Sequence, residues 1–246
     1  MNQVQKLKWL MLSGITETIS ETPVNRIQGA VQSVPETPAE PPNKPVSDSP
    51  KDVALYQAET LAKGATTLAE LYQCRNAFDG CALKKTAAHT LNGRGAESPD
   101  VLCYVEAPDT VDEREGKLLS GTAGELLDKM LRAIGFDLNQ NAYVSALIPW
   151  RPPGNRKPSE VEVNLCRPFW EKEIDLLKPK VILLFGANVS GAVLGVSALS
   201  KARGVWHDYR GIPVRVSIPP ATLIKFPAQK KQAWEDLQQV QKKLGE

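Results

Sequence analysis

Apolar positions along this chain fall into short solid runs separated by longer stretches of helical period. Asp100-Val101-Leu102-Cys103-Tyr104-Val105, Ala142-Tyr143-Val144-Ser145-Ala146-Leu147-Ile148, Lys180 to Phe185 and Val214 to Ile218 are too short for most helices. They suit strands buried on both faces of a parallel sheet. Between them, Glu125 to Ile134, Ser159 to Leu177 and Gln229 to Leu244 carry amphipathic helical spacing, and Ser159 with Glu162 has the spacing of a capping box. Gly186-Ala187-Asn188 starts a helix of small residues, and Gly211 marks a turn before the last strand. Leu55, Leu61, Leu68 and Leu71 predict a helical segment ending near Phe78-Asp79-Gly80. The alternation of strand and helix implies an α/β fold with a mostly parallel sheet covered by helices. Ligands are then expected outside the carboxyl ends of the strands.

The N-terminal fifth of the chain reads differently. Residues 1–18 are read as a short helix, with Leu7, Leu10 and Met11 on one side, or a tail. Residues 19–52, with Pro35, Pro38, Pro41, Pro42 and Pro45 close together, read as a flexible Pro-rich linker before a domain over 53–246. No stretch approaches the ~20 apolar residues that span a bilayer, and no cleavable leader is read from Trp9 to Ile15. A cytoplasmic location with no membrane partner follows. The four cysteines read as reduced thiols or metal ligands rather than a disulfide framework. Lys plus Arg number 30 against 28 for Asp plus Glu, so affinity for a polyanion must come from local clustering.

Three segments fall at strand ends: Glu106 to Gly124, Trp150 to Arg156 and Ser217 to Pro227, and they are expected to converge in one cleft. Within them and between them stand Glu106-Ala107-Pro108, Glu115-Gly116-Lys117, Gly121-Thr122-Ala123-Gly124-Glu125-Leu126-Leu127, Arg151-Pro152-Pro153-Gly154-Asn155-Arg156, Arg203-Gly204 and Pro220-Ala221. In this order and at this spacing, from about residue 65 to residue 245, the chain resembles the family 4 uracil-DNA glycosylases. The resemblance implies a three-layer α/β/α fold with a mostly parallel central sheet. It also implies a role in DNA base-excision repair, in which the bond between a flipped-out base and its deoxyribose is hydrolysed.

Such a site needs a carboxylate that orients water or stabilises the sugar cation, a donor for charge on the departing base, and an amide that reads the base edge. By resemblance, Glu106 holds the position of the activating carboxylate. The base-reading asparagine falls on Ala146 and the histidine of the His-Pro segment on Pro219, so both donors are missing. Ala107, Pro108, Asp109 and Leu119 complete the expected base pocket. There Val105 and Asp109 replace flanking glycines, and Leu119 stands where the family has a stacking phenylalanine. Asp109 is expected to oppose DNA with its charge. The bland reading of Glu106 is a loop carboxylate that caps or pairs locally.

Arg151, Asn155 and Arg156, on a turn stiffened by Pro152-Pro153, are read as phosphate contacts, with Arg203 and Lys225 flanking the same groove. The alternative is a solvated basic turn. His207 is expected in a surface turn and His89 in a polar loop. Many members of the family bind a four-iron cluster on four cysteines, whose positions correspond here to Phe78, Cys81, Trp150 and Cys166. Two ligands do not hold a cubane cluster, so no cofactor is expected and Cys81 and Cys166 are read as buried remnants. The sequence therefore points to a monomeric, DNA-directed glycosylase-fold protein with weak or lost catalysis. An active glycosylase of altered base specificity and a non-catalytic DNA- or protein-binding module are the alternatives.

Overall fold

The structure is a computed structural model and describes residues 49–245. The helix or tail expected over 1–18, and residues 19–48 of the expected linker, lie outside the described residues. Helix α1 (Pro50–Gly64) starts inside the segment read as linker, with the Ser49 hydroxyl accepting from the Asp52 N–H. The leucine spacing over 55–71 spans two helices rather than one. Thr67 and Glu70 form a capping box that starts α2 (Leu68–Ala77) afresh. The buried stripe of α1 is Ala54, Ala58 and Ala62, while Leu55 and Leu61 are half-buried. Alanines four apart let α1 lie close against α6 (Glu160–Leu177), whose start carries the expected Ser159/Glu162 capping box.

The sheet has the order β1-β3-β2-β4-β6-β5. Its parallel centre comprises β2 (Val101–Val105), β3 (Ala142–Ala146), β4 (Val181–Phe185) and β6 (Ile212–Ser217). The edge strands β1 (Arg94–Gly95) and β5 (Trp206–Tyr209) pair antiparallel to β3 and β6. His207 thus lies in an edge strand, half-buried with its Nε2 2.8 Å from the Ala202 carbonyl, and not in a turn. His89 is exposed in a loop, as expected.

Each central strand feeds two cores, because successive side chains point to opposite faces. Leu102, Tyr104, Ile182 and Leu184 meet Leu71, Phe169, Trp170 and Val189 from α2, α6 and α7 (Ala187–Leu194). Val101, Cys103, Leu183 and Val144 meet Leu127, Leu131, Leu223 and Leu237. These last come from α5 (Thr122–Arg132), α9 (Pro220–Lys225) and α10 (Lys230–Gly245). The result is the expected three-layer α/β/α arrangement. Inside the first core the buried Glu173 carboxylate accepts from Tyr72 and Tyr104, each at 2.8 Å. Burial, with the neighbouring Glu173 charge, pushes both tyrosine hydroxyls far above their ordinary value, so they stay donors.

The strand order fixes where a ligand belongs. From β2 the chain runs by α4 (Thr110–Glu115) and α5 to β3 on one side, whereas from β4 it runs by α7 and α8 (Leu199–Ala202) to the other side. The adjacent carboxyl ends of β2 and β4 are therefore the switch point, where the departing connections part and leave a crevice.

Candidate active site

Glu106 is the first residue past β2, held in place because the N–H groups of Leu147 and Ile148 donate to the carbonyls of Val105 and Glu106 at 3.0 and 3.2 Å. Its half-buried carboxylate accepts from Asn188 Nδ2, at 2.9 Å to Oε1 and 3.0 Å to Oε2. Asn188 sits in the first turn of α7, immediately past β4. Gly186 makes that turn with φ +103°, and a Cβ there would lie 3.0 Å from Pro219 Cγ. One side-chain bond thus bridges the crevice between β2 and β4. Reasoning from motifs missed Asn188; an amide side chain right behind a strand-end glycine was the signal that could have found it.

The pocket expected to take a base is apolar. Val105 and Ala146 are paired across β2 and β3 and buried, and Pro108 is buried as well. Leu119 packs on the same core at φ +53°, its carbonyl and that of Leu118 held by the Arg94 guanidinium at 3.0 and 2.8 Å. Pro219 caps α9 without a side-chain hydrogen bond. Ala107 packs on the opposite core. Asp109, expected to oppose DNA with its charge, is the N-cap of α4, accepting from the N–H groups of Val111 (2.7 Å) and Asp112 (3.0 Å). The helix terminus takes up that charge.

The basic turn is internally neutralised. Arg151 Nε is ion-paired with Glu113 Oε2, and Asn155 Nδ2 donates to Thr110 Oγ1 at 3.0 Å, so the turn is tied to α4. Burial works against the Glu113 charge, but the Ala88 N–H and the Arg151 guanidinium hold its carboxyl below the ordinary range. Arg156 clasps Glu162 with two bonds, at 2.6 and 2.9 Å. Arg203, read as a cation flanking the groove, is engaged by α10: it binds Asp236 at 2.7 Å and Gln232. Lys225 and Lys157 are exposed and make no ion pair among the described residues.

The Arg156–Glu162 clasp has a measurable consequence. The Arg156 hydrogen bonds, helped by Ser159, overcome desolvation and lower the Glu162 carboxyl from 4.5 to about 2. A carboxyl depressed on folding contributes stability above its unfolded value and loses it as pH falls through the folded one. The urea midpoint should therefore drop between about pH 4.5 and 2. Glu162→Gln should be less stable at neutral pH and show a shallower acid limb.

Phe78, Cys81, Trp150 and Cys166 all lie buried in the first core, where Phe78 packs on Phe169 at 5.4 Å between centroids and Trp150 Nε1 donates to Thr90 at 3.0 Å. Contact with Cys81, together with burial, pushes the Cys166 thiol well up. Two thiols facing two aromatic rings do not fit a four-thiolate cluster. Among the described residues no group of three or more His, Cys, Asp or Glu is placed to hold a metal ion, and no helix is long and apolar enough to cross a membrane.

The chain is thus a three-layer α/β/α protein with the Glu106 carboxylate at the switch point of its sheet, and comparison with known proteins gives the family. Residues 93–238 match the uracil DNA glycosylase superfamily, and the chain belongs to it. It is similar to the type-4 uracil-DNA glycosylase of Sulfurisphaera tokodaii, 28% identical over 70% of this chain and 80% of that one. That of Saccharolobus solfataricus is 27% identical over 67% and 81%, and that of Archaeoglobus fulgidus 26% over 72% and 89%.

Proposed function

We propose that this protein serves DNA base-excision repair as a glycosylase-family member acting on DNA as a cytoplasmic monomer, with its own uracil excision weak or lost. The observation that carries the reading is the apolar lining at Ala146 and Pro219 beside a carboxylate, Glu106, that is still at the end of β2. Without a side-chain amide, the base edge goes unread. Without a donor at 219, charge on the departing base is unrelieved, and one such donor is commonly worth ~10²- to 10³-fold in rate. The pairing of Arg151 and Arg156 also leaves less positive charge for phosphate than the sequence suggests, while Lys157 and Lys225 are exposed without an ion pair among the described residues. The second reading, an active glycosylase of altered base specificity, is favoured by the bond that holds Glu106 in place.

The test is a single-turnover assay with protein in excess over uracil, hypoxanthine and xanthine in single- and double-stranded DNA, with Glu106→Ala as control. Little or no uracil release above that control is expected. Rapid, complete uracil release abolished by Glu106→Ala would overturn the reading. Release of hypoxanthine or xanthine alone would establish the second one.

A further inference from the structure

A large opening lies beside Glu106, and Ala146 does not line it. It is a cleft of about 340 Å³, walled by Leu147, by the start of α6 and by α7. That volume is within the range of small-ligand sites. Its floor carries the Glu106–Asn188 pair, its walls include Val163 and Ala192, and Lys157 and Arg167 stand at its rim with Glu160. Arg167 is steadied by Asn164 Oδ1 at 3.2 Å.

Asn188 has capacity to spare. Its nitrogen lies 2.9 and 3.0 Å from the two oxygens of one carboxylate, a geometry that a single N–H bisects. The second N–H and the carbonyl oxygen make no hydrogen bond among the described residues, and they belong to a residue of the cleft wall. An amide presenting one donor and one acceptor side by side is the device that reads a base edge, and a carboxylate accepts best from an exocyclic amino group. Aliphatic walls suit the faces of the ring, and rim cations suit a phosphate.

We infer that this cleft is a nucleobase-binding subsite, distinct from the family's base pocket, in which Asn188 and Glu106 read an amino-bearing base of a deoxynucleotide. The amide that position 146 lacks is thus supplied from α7, on the other side of the same carboxylate. Uracil and thymine, which carry carbonyls where these bases carry amino groups, are disfavoured by the charge of Glu106. The inference concerns binding and stands whether or not a bond is cleaved.

The experiment is a binding titration of the full chain with dAMP, dCMP, dGMP, dUMP and dTMP, followed by isotope-edited NMR or calorimetry. One of the three amino-bearing nucleotides should bind about tenfold more tightly than dUMP and dTMP. Asn188→Leu should cost about tenfold of that affinity, and Arg167→Ala should weaken the monophosphate but not its nucleoside. Thermal melting separates loss of binding from loss of fold in Asn188→Leu, and Arg167→Ala, on an exposed side chain, carries the test should Asn188→Leu unfold. No saturable binding at millimolar nucleotide, or binding indifferent to both substitutions, overturns the inference. Nucleotide binding that Asn188→Leu weakens upholds it even without excision, whereas uracil excision with no saturable mononucleotide binding leaves the family role intact and sinks this subsite.

Discussion

Replacing Asp236 by alanine should destabilise the protein by about 3–5 kcal/mol, the cost of removing one partner from a buried charge cluster. Asp236, 1% exposed on α10, takes Arg203 on one oxygen at 2.7 Å and Arg215 on the other at 3.0 Å. Arg215 is nearly as buried, stacks over Trp206 at 5.7 Å, and already has an Nε without a partner. Once the carboxylate is gone its guanidinium has no anion within the core. Arg203 is less exposed to that fate, because Gln232 also accepts from it by side chain and backbone. Arg203→Gln should accordingly cost less than Asp236→Ala, and the pair Arg215→Met with Asp236→Leu should recover most of the loss. Urea denaturation of the four proteins measures this. A change below about 1 kcal/mol for Asp236→Ala, the scale of an exposed pair, would mean that the cluster is not desolvated in solution. The cluster clamps α10, β6 and the end of α8 together, and β6 is the strand that delivers Pro219.

Parts of this design were open to reading from the sequence, for physical reasons. β2, β3 and β4 are buried on both faces, so they appear as solid apolar runs that no amphipathic helix would show. β5 was hidden because an edge strand with His207 and Asp208 looks like a turn, and the short β1 has only Arg94 and Gly95 to declare it. The boundary between α1 and α2 was signalled by Thr67 and Glu70 but masked by leucines whose spacing continues across the break. Residue type and order placed Glu106 and Pro219 past strand ends correctly, whereas the run read as a strand through Ile148 hid that β3 stops at Ala146. They could not show which cations are free, since Arg151, Arg203 and Arg215 meet partners 38, 33 and 21 positions away. Likewise Asn188 and Glu106 are 82 positions apart and are joined only because the sheet order sets β2 beside β4.

The double substitution Ala146→Asn with Pro219→His should raise single-turnover release of uracil by about 10²-fold or more over the unaltered chain, since each restores a preorganised group worth ~10²- to 10³-fold. Neither alone should do as much. Ala146 is 2% exposed against Val105, so a lone asparagine amide there is an unpaired polar group costing about 1–3 kcal/mol in stability. Pro219→His supplies both an imidazole and the backbone N–H that proline lacks, and it also removes the ring that abuts Gly186. The two gains need not add, because they act on one transition state. Glu106→Ala in the doubly substituted protein should abolish the gain, which ties it to the carboxylate at the end of β2. If the double variant folds, melts normally and releases no uracil, the missing groups are not the whole obstacle. The obstacle would then be volume: Val105 and Leu119 pack in the same core as Ala146, and opening space there with Val105→Gly becomes the step on which excision depends.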